Sequence, residues 1–255
     1  MTETVLAPSA HSQRQPLPVP ASDELLLGSR RIRQAFLQTP LCVAGRDAPF
    51  IRAGDPEPVG VLIRSGFAYR SCALGDGRRA ILDIFVPGDI AGLDNTIAPA
   101  SSEDVIAAGR VGYHALPAVT LRDMMADHAI ALYVAALLAA SRWRADRLAA
   151  SLGRLDAQAR ICVLFLDMYE RLRRRGLISR PTFNLPLTQE QIADHLGLTL
   201  VHVNRTLHKL REEEVVLVDR QIVIIQDLDR LRLAGKGLPQ AAELPEAADH
   251  HLSSA

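Results

Sequence analysis

The chain has 255 residues, 48% of them apolar, with 29 basic against 29 acidic side chains. That length suits one large domain or two small ones with ample material for a core, and the neutral balance excludes a protein that coats nucleic acid by charge alone. Three dispersed cysteines, Cys42, Cys72 and Cys162, give neither a disulfide framework nor a paired metal motif, which fits a reducing, cytoplasmic compartment.

Met1–Pro20 carries four prolines and lacks the apolar stretch of a secretory signal, so residues 1–22 read as a disordered tail. The longest apolar run, Ala129–Ala140, is twelve residues. It is too short to cross a bilayer of roughly 30 Å, and no membrane partner is expected.

Residues 41–116 read as β structure. Short apolar runs (Val59–Ile63, Ala68–Ala73, Ala80–Phe85, Val105–Ala108, Val111–Tyr113) alternate with turns such as Arg64-Ser65-Gly66, Gly75-Asp76-Gly77 and Pro87-Gly88-Asp89. Many short strands with glycine-rich turns predict a small sandwich or barrel. The pattern then switches. From about Pro117 to Gly153 the chain is rich in Ala, Leu, Met and Arg, with Leu132, Ala135, Ala136, Ala139, Trp143 and Leu148 at helical spacing. This predicts one long helix whose apolar stripe is wider than a small domain needs. A second helix is predicted over Leu155–Arg175, with Ile161, Leu164, Phe165, Met168 and Leu172 as its stripe and Gly176 ending it.

Residues 187–211 specify a helix-turn-helix position by position. Thr188 caps the first helix and Gln191 completes a capping box. Ile192 and Leu196 share a buried face, Ala193 lets a second helix approach, and Gly197 sits at the left-handed turn. Thr199 caps the second helix, which buries Val203, Leu207 and Leu210 and presents His202, Arg205 and Lys209 on the other side, beside Val201 and Asn204. Such a face fits a major groove about 12 Å wide. Two apolar runs, Val215–Val218 and Ile222–Ile225, flank a turn at Asp219-Arg220 and read as a β-hairpin wing. Arg142–Arg232 carries sixteen basic against twelve acidic residues, a local excess that suits a phosphate backbone. GxSxG, HExxH and GxxxxGK[ST] do not occur, so no enzyme activity is expected.

Ile192-Ala193-Asp194-His195-Leu196-Gly197-Leu198-Thr199 with Val203-Asn204-Arg205, and Gly75-Asp76-Gly77-Arg78-Arg79 followed by Phe85-Val86-Pro87-Gly88-Asp89-Ile90-Ala91-Gly92, resemble the Crp/Fnr family of bacterial transcription regulators over residues 25–232. The resemblance implies an α+β fold: a disordered tail (1–22), a cyclic-nucleotide-binding-like sensory β-roll (23–116), a dimerisation helix (117–153), a winged helix-turn-helix (154–232) and a C-terminal tail (233–255). It implies a homodimer on a palindromic promoter site, with double-stranded DNA and RNA polymerase as partners. Leu200, Val201, Asn204 and Arg205 fall where the family reads bases, and Thr188 and His202 fall among phosphate contacts. Gln189, Thr199 and Lys209 complete the candidate DNA-binding set. Many relatives carry Glu where this chain has Val201, so the family's usual half-site does not transfer. The rival reading is a signalling or scaffold module that kept the fold and lost specific DNA binding.

The same resemblance makes cyclic AMP the default ligand of the roll, held by an Arg. No Arg or Lys occurs from Leu93 to Gly109, and a buried phosphate without a cation is costly, so cyclic AMP is not expected. A four-thiolate iron–sulfur cluster is not expected from three dispersed cysteines. Haem stays open, with His114, His128, Tyr113 and Cys72 available as axial ligands. A thiol sensor would use Cys42 and Cys72. No cofactor is predicted.

Overall fold

The computed structural model describes residues 23–97 and 103–238. The expected tails at 1–22 and beyond 238 lie outside the described residues, as do residues 98–102 within the segment compared with a nucleotide cassette.

A helix that the sequence reading did not separate from the roll, α1 (Asp23–Leu37), opens the described chain. Eight strands follow: β1 (Cys42–Ala44), β2 (Pro49–Ile51), β3 (Val59–Ser65), β4 (Ala68–Ala73), β5 (Arg79–Phe85), β6 (Ile90–Ala91), β7 (Asp104–Ala107) and β8 (Val111–Pro117). They form two antiparallel four-stranded sheets, ordered β1-β8-β3-β6 and β2-β7-β4-β5. Alternating residues such as Val61, Ile63, Phe85, Val105 and Val111 fill one shared core, as expected where each sheet buries one face.

The single long helix expected over 117–153 is two helices, α2 (Ala118–Met124) and α3 (His128–Arg154). Asp127 makes the break. Its carboxylate accepts from the backbone N–H groups of Ala129 and Ile130, which starts a new helix instead of continuing the old one. The face of α3 that buries most fully is Ala129, Ile130, Tyr133 and Val134, packed on Ile32, Phe36 and Leu62. At the α1–α3 crossing a Cβ on Gly28 would lie 2.0 Å from the Ala129 carbonyl oxygen, so only glycine permits this approach. Of the stripe read from sequence, Leu132, Ala136 and Trp143 are half-buried and Ala135 and Ala139 are exposed.

Helix α4 (Ala157–Arg174), capped by Asp156, forms the centre of the largest core. The helix-turn-helix pair is α5 (Gln189–Leu196) and α6 (Leu200–Glu212). Its wing is three-stranded. The expected hairpin of β10 (Val216–Asp219) and β11 (Ile222–Ile225) gains β9 (Thr182–Asn184) at its edge. The hairpin turn falls one residue later than expected: Arg220 and Gln221 adopt φ of 44° and 72°, the left-handed pair of a tight two-residue turn. Helix α7 (Leu228–Ala234) closes the domain and runs two residues beyond the boundary expected at 232.

Candidate nucleic-acid interface

Local chemistry builds the caps and the turn of the helix pair as the sequence suggested. Thr188 Oγ1 accepts from Gln191 N at 3.1 Å, while Gln191 Oε1 accepts from Thr188 N at 2.9 Å. Gly197 takes φ 60° between the helices, and Thr199 Oγ1 accepts from His202 N at 3.2 Å. Val203 and Leu210 are buried and Leu207 partly so, which fixes the rotation of α6. The opposite face is open: Thr199, Leu200, Val201, His202, Asn204, Arg205 and Lys209 are all exposed. Val201 is 72% exposed and Leu200 47%, so two aliphatic side chains lead the helix into solvent where a buried core would normally claim them. Among the described residues nothing holds the Arg205 guanidinium in a hydrogen bond or ion pair. Lys209 differs, since its Nζ lies 3.7 Å from Glu213 Oε1. Thr188 is exposed at the start of α5 and Gln189 half-buried behind it.

The other side of α5 faces the roll. Arg79 on β5 donates to Asp194 Oδ2 at 2.8 and 3.0 Å. Gln191 Nε2 reaches Asp47 Oδ1 at 3.3 Å and the Tyr69 hydroxyl at 3.4 Å. His195 Nδ1 lies 3.0 Å from the Ile81 carbonyl oxygen, and burial pushes its pKa down, keeping it neutral. A second seam joins the roll to α3 and α4. Arg144 makes a bidentate pair with Asp83, at 2.8 to 3.2 Å. Arg171 and Arg175 both engage Asp89, the latter at 2.7 Å. Burial would raise the Asp83 and Asp89 pKa values, yet the facing arginines outweigh it and hold both carboxyls below the usual range. Sequence reasoning missed this seam. One signal was present: Asp83 stands inside the apolar run Ile81–Phe85, and a carboxylate in a buried strand implies a cationic partner.

The residues singled out as possible effector ligands are scattered. His114 is buried with Nδ1 2.9 Å from the Thr39 carbonyl oxygen. His128 is exposed, Tyr113 stacks on Phe50, and Cys42 and Cys72 are half-buried on different sheets. Burial pushes the Cys162 thiol up to about 11. Among the described residues no three His, Cys, Asp or Glu side chains gather as a metal site would need.

The Crp-like helix-turn-helix domain model matches residues 146–234. The nitrogen fixation regulation protein FixK of Rhizobium meliloti is 30% identical over 160 residues, covering 62% of this chain and 70% of the relative. The chain belongs to the Crp/Fnr family. A second FixK, from Azorhizobium caulinodans, is 27% identical across 88% of this chain and 92% of its own. The transcriptional activator FnrL of Cereibacter sphaeroides is 28% identical across 71% and 74%. Among solved structures, FixK2 of Bradyrhizobium japonicum superposes with a TM-score of 0.70 at 24% identity, covering 80% of this chain and 98% of that one. A CRP-family regulator of Thermus thermophilus gives 0.61 at 22%, covering 79% and 100%. This Crp/Fnr protein is therefore a transcription regulator with a DNA-binding helix-turn-helix, on an α+β fold of N-terminal β-sheet domain, connecting helices and C-terminal reading domain.

Proposed function

We propose that this regulator reads a two-fold symmetric promoter site as a homodimer, with Leu200, Val201, Asn204 and Arg205 contacting bases and Thr188, Gln189, Thr199, His202 and Lys209 flanking them toward the phosphates. The observation that carries this is the open face of α6, held in register by two side-chain caps and a buried stripe. Arg205 has the fork that pairs with guanine O6 and N7. Val201 offers no acceptor for cytosine and suits the methyl group of thymine. Dimerisation through α3 is supported by the half-buried and exposed stripe of Leu132, Ala135, Ala136, Ala139 and Trp143, which a second copy would cover. RNA polymerase is the expected protein partner and the cytoplasm the expected place of action. The likeness to transcription regulators supports a regulator without enzyme activity. Among the described residues, no helix is long and apolar enough to cross a membrane.

Mobility-shift titration on DNA from the protein's own upstream region tests this reading. Arg205→Ala should weaken binding by about 1–3 kcal/mol, roughly 5- to 150-fold. Unchanged affinity would return the protein to the rival reading, a scaffold with an unused reading helix. The signal sensed is not a cyclic nucleotide in this proposal. The roll interior packs Val61, Ile63, Phe85 and Val105 against one another, and the stretch from Leu93 to Gly109 supplies no cation. Calorimetric titration should find no sub-micromolar cyclic AMP affinity, and finding one would overturn this part.

A further inference from the structure

We infer that Arg79, a residue of the roll, is a positioning residue for DNA reading: through Asp194 and Tyr69 it sets the angle at which α5 and α6 are presented, and so the half-site spacing that a homodimer accepts. Four side chains join β4, β5 and α5 in one polar chain. Arg79 donates to Asp194 Oδ2 at 2.8 and 3.0 Å and to the Tyr69 hydroxyl at 3.1 Å. Its guanidinium carbon lies 5.3 Å from the Tyr69 ring centroid. The same hydroxyl accepts from Gln191 Nε2 at 3.4 Å. Gln191 Oε1 in turn accepts from Thr188 N at 2.9 Å, so the capping box that starts the helix pair is tied to the roll. Tyr69 is fully buried and Gln191 nearly so, and a satisfied polar network in such surroundings rigidifies what it joins.

The outer part of this chain positions more than it stabilises. The Arg79 and Asp194 side chains keep 34% and 24% of their surface in solvent, and ion pairs that reach water add little stability. The buried pairs lie elsewhere: Asp83 with Arg144, and Asp89 with Arg171 and Arg175, join the roll to α3 and α4. Arg79 reaches the helix pair from behind and leaves Leu200, Val201, Asn204 and Arg205 exposed on α6. Helix α6 follows α5 after Gly197-Leu198-Thr199, and Ile192, Leu196 and Val203 share one core, so a tilt of α5 is passed on to α6. A dimer on half-sites one helical turn apart needs a fixed distance between its two reading helices. One base pair is about 3.4 Å along the axis, so a displacement of that size moves the accepted spacing by a whole step.

This deepens the homodimer reading and rests on it, and the test separates the two. The full-length protein selects bound duplexes from a random-sequence pool, and the recovered motif gives half-site and spacing separately. Wild type should return one half-site, repeated with two-fold symmetry at a single spacing. Arg79→Gln and Asp194→Ala should return the same half-site at mixed spacings. In titrations on a site lengthened by one base pair, the preference for the original spacing should fall from about 10-fold or more to about 3-fold or less, because a loosely held reading domain no longer has to twist the DNA. Thermal melts establish that each variant is folded, and either folded variant suffices. A merely structural role would weaken binding at every spacing alike, and that outcome, or a spacing preference equal to wild type in a folded variant, would overturn this inference alone. A wild-type motif without two-fold symmetry would overturn the homodimer reading, and this inference with it.

Discussion

Asp89→Ala is expected to destabilise the protein by about 3–5 kcal/mol, the cost of removing one partner from a buried ion pair. The carboxylate sits among three donors: the Val86 backbone N–H, Arg171 and Arg175. Both arginine side chains are themselves largely shielded from water. With Asp89 gone, Arg171 keeps Asp167 at 3.4 Å, but both buried guanidinium groups lose the carboxylate they share, which is why the loss exceeds that of a surface pair. The single tryptophan, Trp143, lies on α3 one residue from Arg144 and reports the change by fluorescence during urea unfolding. A loss below about 1 kcal/mol would mean that the guanidinium groups find water and that the seam is not a closed network. The same carboxylates set the acid limit. The pKa values of Asp83 and Asp89 are depressed in the folded state. Their stabilisation is thus fully present above the unfolded carboxylate value of about 3.9 and lost as pH falls through the lower folded values. The wild-type protein should therefore lose this contribution only below about pH 4, and Asp89→Ala should flatten that acid limb.

Phe165→Ala should cost a comparable 3–5 kcal/mol. Phe165 is fully buried on α4, in a core that includes Tyr69 and Ile84 from the roll and Ile192 and Leu196 from α5. Truncation leaves a cavity bordered by rigid strands as well as helices, so the site has little freedom to collapse. For a chain of this size the melting temperature should drop by roughly 6–20 °C. Calorimetry should show both halves shifting together, because one apolar cluster runs through them. Two transitions, with only the second displaced, would show that the roll and the reading domain unfold independently.

These two residues also mark what sequence could and could not convey. Phe165 was legible, since its stripe recurs at helical spacing whatever it packs against. Thr188, Gln191, Gly197 and Thr199 were legible for a similar reason: a cap or a left-handed turn is settled within four residues of chain. The break at Asp127 was written locally as well, in an N-cap residue before an apolar run, but helix-forming residues on both sides, Leu121, Met124 and Met125 before it and Ala129–Ala140 after it, concealed it. The wing turn slipped by one position because Arg220 and Gln221 hold positive φ without glycine or asparagine to announce it. Strand β9 is three residues long and exists only through pairing with β11. The partners Asp89 with Arg171, and Arg79 with Asp194, are separated by 82 and 115 residues. No local period couples such positions; only the fold brings them together.

Helix α5 carries a practical consequence for building hybrid regulators. The residues that define it as part of a reading motif point two ways: Thr188 and Gln191 cap it, while Gln191, Asp194 and His195 fasten it to Asp47, Tyr69, Arg79 and Ile81. A hybrid joined at the α3–α4 connection would graft a foreign motif onto a roll made for this one. Transplanting the reading domain with its specificity intact therefore means carrying the matching face of β4 and β5 along with it, or exchanging only the outward residues of α6.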